Sequence, residues 1–212
     1  PCLTNHIISL PINEDDEQHT VISGDFFKLT PYHIQDPSPL EMKQIVQTYI
    51  RPICRIKINE LYINQTDMLY IHFRGGDIFS TNPHSAYVQP PLSYYYHCMK
   101  GFNNIRLVCE DNRNPCISEL IKDPRVIYIS GTLTRDLNIL GNVRNLCIGM
   151  GTFGYLLYLL NPNLKQLFIP EYVIEELPKG EWGDTVTVHK IPLPGYIKVG
   201  QWRNTNKQRK IM

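Results

Sequence analysis

The chain has 212 residues, 42% apolar and 19% charged, with a formal net charge of +1. That is enough for one sizeable α/β domain, and the charge is too low for a disordered polyelectrolyte or a bulk nucleic-acid binder. No window approaches the apolar length that spans a bilayer, and no signal peptide is visible, so no membrane segment and no nucleic-acid partner are expected.

The opening at Pro1 rather than Met leaves room for a leader or anchor ahead of it, and the compartment stays open between cytoplasm and ER or Golgi lumen. Six cysteines form no dense framework; Cys109 and Cys116 have neither CxxC nor zinc-site spacing, so buried free thiols are expected. Asn64-Gln65-Thr66 is a glycosylation sequon that matters only in a secretory compartment.

In chain order, Leu3 to Ile12 is mixed, Glu14 to Glu17 is an acidic turn, and Val21 to Phe27 reads as strand, turn and strand start. Ser38-Pro39-Leu40-Glu41 is a capping box with proline at the first helical position. Met42, Ile45, Val46, Tyr49, Ile50 and Ile53 then follow the spacing of one buried helix face, which Pro52 should end. A strand over 67–73 empties into His72-Phe73-Arg74-Gly75-Gly76-Asp77. Pro90 and Pro91 open a helix rich in tyrosine, whose rings either line a sugar or base pocket or pack on the sheet.

From Gly101 the rhythm is regular. Strands are expected at 105–109, 126–129, 146–148 and 167–169, with helices at 116–121, from Thr132 to Leu140, and at 155–160. Strands alternating with short helices predict an α/β fold, a Rossmann-like parallel sheet flanked by helices. Past Pro170 the pattern loosens, and the basic stretch Arg203 to Lys210 reads as a solvated terminus with a short final helix.

Three loops follow strands and should leave the same sheet edge: 72–77, 110–114 and 149–154. Arg74 offers a planar, permanently charged fork for a diphosphate. Asp111 offers a carboxylate to a base or a ribose hydroxyl. Gly151-Thr152 opens a helix whose free N–H groups suit a phosphate. No GxxxxGK[ST] loop occurs, which argues against a P-loop enzyme. The alternative for His72 is a hydrogen-bonded core histidine, for Asp77 a loop cap, for Phe153 plain core, and for Asp111 a solvated turn.

His72-Phe73-Arg74-Gly75-Gly76-Asp77 resembles the HxRxxD motif of the fucosyltransferase superfamily, which includes the α1,2-, α1,6- and protein O-fucosyltransferases. Gly151-Thr152-Phe153-Gly154 is similar to that superfamily's later motif around a phenylalanine, and Glu110-Asp111 is similar in place to its acidic motif. The resemblance implies the nucleotide-binding half of a GT-B fold over residues 67–212, with 1–66 as a reduced acceptor-side region. It implies Arg74 on the β-phosphate, His72 on the nucleotide, Asp111 on guanine, and Thr152 and Phe153 on phosphate and base. Gly75 stands where many members carry a second arginine.

These readings give a metal-independent glycosyltransferase, by resemblance moving fucose from GDP-fucose to a glycan or protein hydroxyl, with no resident cofactor. Arg74 and Asp77 are the candidate catalytic residues, and His72, Phe73, Gly75, Gly76, Asp111, Gly151, Thr152 and Phe153 the candidate substrate contacts. Asp25 and the Glu14 to Glu17 cluster compete with Asp77 as base. A donor of another kind, such as a UDP-pentose, and a non-catalytic nucleotide- or glycan-binding module remain open alternatives.

Overall fold

In a computed structural model, the apolar run ahead of the Arg74 loop is strand β1 (Met68–Phe73), fully buried except at His72. The structure describes residues 37–212 apart from 55, 58, 59, 175, 176, 178, 179 and 184. The expected elements between Leu3 and Phe27, with Glu14 to Glu17 and Asp25, lie outside the described residues. Ser38–Met212 forms one compact unit, so residues 38–66, grouped by sequence with an acceptor-side region, cluster with the sheet.

β1 lies inside a six-stranded sheet with β2 (Asn104–Cys109), β3 (Val126–Ser130), β4 (Asn145–Cys147), β5 (Gln166–Pro170) and β6 (Thr187–Ile191). The spatial order is β3-β2-β1-β4-β5-β6 and every pairing is parallel. This is a Rossmann-like α/β sheet. Its order reverses between β1 and β4, which opens the crevice where such folds bind ligands.

Successive side chains of a strand face opposite sides. Leu69, Ile71 and Phe73 join one core with Tyr94 and Tyr95 of α3 (Leu92–Cys98) and Ile117 and Leu120 of α4 (Pro115–Leu120). Met68 and Tyr70 join the other, with Leu140 of α5 (Leu133–Leu140) and Leu157 and Leu160 of α6 (Thr152–Leu160). Side chains buried as completely as Leu69 and Ile71 each contribute about 1.5–3 kcal/mol. Tyr94 and Tyr95 are therefore packing residues, whereas Tyr96 is exposed.

α1 (Pro39–Ile45) starts as the capping box dictates: Glu41 N donates to Ser38 Oγ at 3.3 Å and Ser38 N to the Glu41 carboxylate at 2.8 Å. The helix then widens into a π-helical turn, Val46–Ile50. Of the six residues expected on its buried face only Val46 is buried, and Tyr49 is 67% exposed. Met42 packs half-buried against the core, Ile45, Tyr49, Ile50 and Ile53 are exposed, and the segment is anchored through polar groups as well. Gln47 Nε2 donates to Leu159 O, and Arg51 Nη1 donates to Gly141 O and Leu160 O.

Two further expectations change. A short helix α2 (Glu60–Ile63) precedes β1, and after β5 come the equally short α7 (Glu171–Ile174) and then β6, an edge strand that sequence reasoning did not find. The basic tail is solvated at Arg203, Lys207 and Lys210, as expected, but is docked at Arg209 and at the preceding Trp202. Trp202 is wholly buried, and Arg209, on the final helix α8 (Asn206–Lys210), donates to Phe79 O at 3.3 Å. Five cysteines among the described residues are free and all but Cys54 are buried, as expected.

Candidate functional site

β1 delivers Arg74 to the carboxyl edge of the sheet, beside the turn that follows β4. The loop is shaped by what surrounds its two glycines. Gly76 has φ +61°, a left-handed value that favours glycine, and starts a 3-10 turn over Gly76–Phe79. A Cβ at Gly75 would overlap the Asp111 carboxylate, lying 2.8 Å from its Cγ. A second arginine at position 75 has no room in this packing.

Asp111 is the tether. Its carboxylate accepts from Gly76 N and from Arg113 N, both at 2.9 Å, and pairs with Arg113 Nε at 3.3 Å. Both oxygens are committed within the protein, which favours the structural role for Asp111 over base recognition. The 3-10 turn is held from the far side: Trp202 Nε1 donates to Ile78 O at 2.9 Å and Asn204 Nδ2 to Ser80 O at 2.7 Å.

Among the described residues the Arg74 guanidinium has one carboxylate neighbour, Asp77, at 3.4 Å. Exposed pairs of this length contribute little. Its Cζ lies 4.4 Å from the centre of the Tyr87 ring, and the position a Cβ of Gly151 would take is 2.7 Å from Nη1. Gly151, with φ +128°, is the N-cap of α6 and leaves its first turn without a side-chain cap. The open N–H groups of that turn and the Arg74 charge together favour an anion.

A cavity of about 540 Å³ lies at this edge. Of the expected residues, His72, Phe73, Arg74, Gly75 and Asp77 line it from the β1 side, and Thr152 and Phe153 from α6. Gly76, Asp111 and Gly151 do not line it and act through the backbone around it. The His72 ring sits 4.8 Å from the Phe153 ring. Burial, with the adjacent Arg74 charge, lowers the His72 imidazole to about 4, so it is neutral near pH 7.

The opposite wall holds Glu110, the first residue of the acidic pair, with Gly131, Leu133 and Asp136, to which sequence reasoning gave no place in the site. Asp136 is 6% exposed and its Oδ1 has no hydrogen-bond partner among the described residues. Burial raises its carboxyl above the ordinary range, Arg135 opposes that, and Glu110 adds to it. An unpartnered buried carboxylate oxygen is costly, and it belongs to a residue that lines the cavity. The signal in the sequence was an aspartate on the face shared by Leu133 and Leu140, three and four residues away.

In comparisons with protein-family models, curated proteins and solved structures, nothing matched this chain.

Proposed function

We propose that the chain is a glycosyltransferase using a nucleoside-diphosphate sugar, by resemblance GDP-fucose, and a glycan or protein hydroxyl as acceptor. One observation carries this reading: Arg74 stands at the switch point beside the uncapped start of α6, and among the described residues its one ion-pair partner is the largely exposed Asp77 at 3.4 Å. The cavity is polarised to match. Arg74 and α6 favour an anion at one end, and Glu110 and Asp136 favour N–H or O–H donors at the other. Strands lie about 4.8 Å apart, so the two strand steps from β1 to β3 span about 10 Å. A nucleoside diphosphate fits that polarity and reach, with its diphosphate on Arg74 and Thr152 and its base donors toward Asp136.

In the transfer, the bond from the sugar's anomeric carbon to the β-phosphate oxygen breaks and a bond to the acceptor oxygen forms. Arg74 and the α6 N–H groups stabilise the charge growing on the departing diphosphate, with no metal ion in the proposal. Neutral His72 donates or accepts a hydrogen bond without adding charge. Asp77, 68% exposed at its side chain, is released from Arg74 when the diphosphate takes its place. Its carboxylate then accepts the acceptor's proton.

The test is a thermal-shift comparison of GDP with UDP, followed by turnover on a nucleotide-sugar panel with glycan and protein acceptors in the presence of a chelator. GDP should raise the melting temperature more than UDP, and GDP should be released from GDP-fucose. Arg74→Ala should lower turnover by about 10²–10³ while remaining folded. Near-normal turnover in that variant removes the mechanism. Turnover only with another sugar nucleotide reassigns the donor, and nucleotide binding without turnover makes the chain a binding module.

A further inference from the structure

We infer that Tyr87 is a positioning residue for Arg74, its ring face holding the guanidinium fixed at the strand end so that the diphosphate meets a preset fork. This rests on reading Arg74 as the diphosphate-binding residue. Arginine carries large side-chain freedom, and a free guanidinium must be ordered when a ligand arrives. Asp77 cannot do the ordering, because its two contacts with Arg74 Nη2 are long, 3.4 and 3.5 Å, and its side chain is mostly exposed. The Tyr87 ring, 4.4 Å from Cζ, supplies a flat, electron-rich surface of matching shape.

Tyr87 is itself held from several sides. Its N–H donates to His84 O at 3.1 Å, and its ring packs against both cores of the sheet. Gln89, 1% exposed, donates through Nε2 to Tyr87 O at 3.4 Å and to Met150 O at 3.2 Å. One buried amide therefore links the chain at Tyr87 to the glycine-rich turn beside the guanidinium. The Arg74 fork lies between two segments that are held to each other.

The test separates positioning from plain packing by comparing Tyr87→Phe, which keeps the ring, with Tyr87→Leu, which keeps apolar bulk without it. Tyr87→Met serves if the leucine variant does not fold. The first readout needs no ligand: the Nε–Hε resonance of Arg74, assigned by its disappearance in Arg74→Lys. A ring-current shift is expected in the native protein and in Tyr87→Phe, and its loss in the leucine or methionine variant. The second readout is GDP affinity by calorimetry. Tyr87→Phe should bind within about twofold of native, and the ring-less variant about three- to thirtyfold more weakly, the range of a cation–π contact. An unshifted Arg74 resonance in the native protein, or unchanged GDP affinity in the ring-less variant, overturns the inference. Failure of the native protein to bind any nucleoside diphosphate overturns the proposed function instead, and the resonance still decides whether the ring holds Arg74.

Discussion

A single methyl group added at Gly75 probes how the loop after β1 is built. The φ of Gly75 is −121°, outside the left-handed region, so Gly75→Ala carries no penalty of that kind. Its cost is steric, because the new Cβ would meet the Asp111 carboxylate, 2.8 Å from Cγ. Asp111 cannot swing away freely while it accepts from Gly76 N and Arg113 N. Overpacking of this sort costs about 1–3 kcal/mol, and forcing Asp111 out sacrifices about 1 kcal/mol of hydrogen bonding. Gly75→Ala should therefore destabilise by roughly 2–3 kcal/mol, a fall of about 5–10 °C in Tm for a chain of this size. Asp111→Ala alone should cost roughly 1–2 kcal/mol. In the double variant the clash is gone, so alanine at 75 should add almost nothing. The resulting coupling of about 2–3 kcal/mol is read from urea midpoints in a double-mutant cycle. Additive single effects, or a neutral Gly75→Ala, would refute the account of why glycine occupies this position.

Gly151→Ala combines a left-handed φ of +128° with a Cβ 2.7 Å from Arg74 Nη1. It should weaken GDP binding about tenfold or more by displacing the guanidinium, as calorimetry would report. Asp136→Asn should stabilise the ligand-free protein by about 1 kcal/mol while weakening GDP binding. A carboxyl raised by burial favours folding below the ordinary carboxylate range and loses that contribution as pH rises. The gain in Tm should therefore be larger at neutral than at acidic pH, and a loss of stability at neutral pH would count against it. His72 has the opposite dependence. Its imidazole falls from 6.5 unfolded to about 4 folded, so its contribution is full above the first value and is lost as pH falls toward the second. About 2–3 kcal/mol is at stake, and His72→Gln should flatten urea midpoints measured between pH 7 and about pH 4.5.

The central strands were legible because a parallel strand buried on both faces reads as a short apolar run ending in glycine or a charge, as Leu69–Phe73 and Ile105–Cys109 do. β6 was not, because Thr187, His189 and Lys190 lie on a half-covered edge and only pairing with β5 makes them a strand. The buried face expected for α1 failed for a related reason: periodicity marks a stripe without showing whether a partner covers it, and carbonyls at the ends of α5 and α6 hold Gln47 and Arg51 instead. At the site, Arg74 was readable from its place at a strand end. Of the two adjacent acids, Asp111 turned inward to the loop and Glu110 turned to the cavity, and spacing alone could not tell them apart. Asp136 looked like an ordinary polar residue on a helix until α5 was set against the sheet.

The bond from Trp202 to the carbonyl of Ile78 joins residues 124 apart in sequence. Its consequence concerns the order of events during synthesis. β1 can pair with β2 and then β4 while later residues are still being added, because those contacts need only chain already made. The turn after β1 cannot be closed from behind until Trp202 and Arg209 have left the ribosome. Closing that turn from behind is therefore a long-range step, made only after the chain through Trp202 and Arg209 has been added.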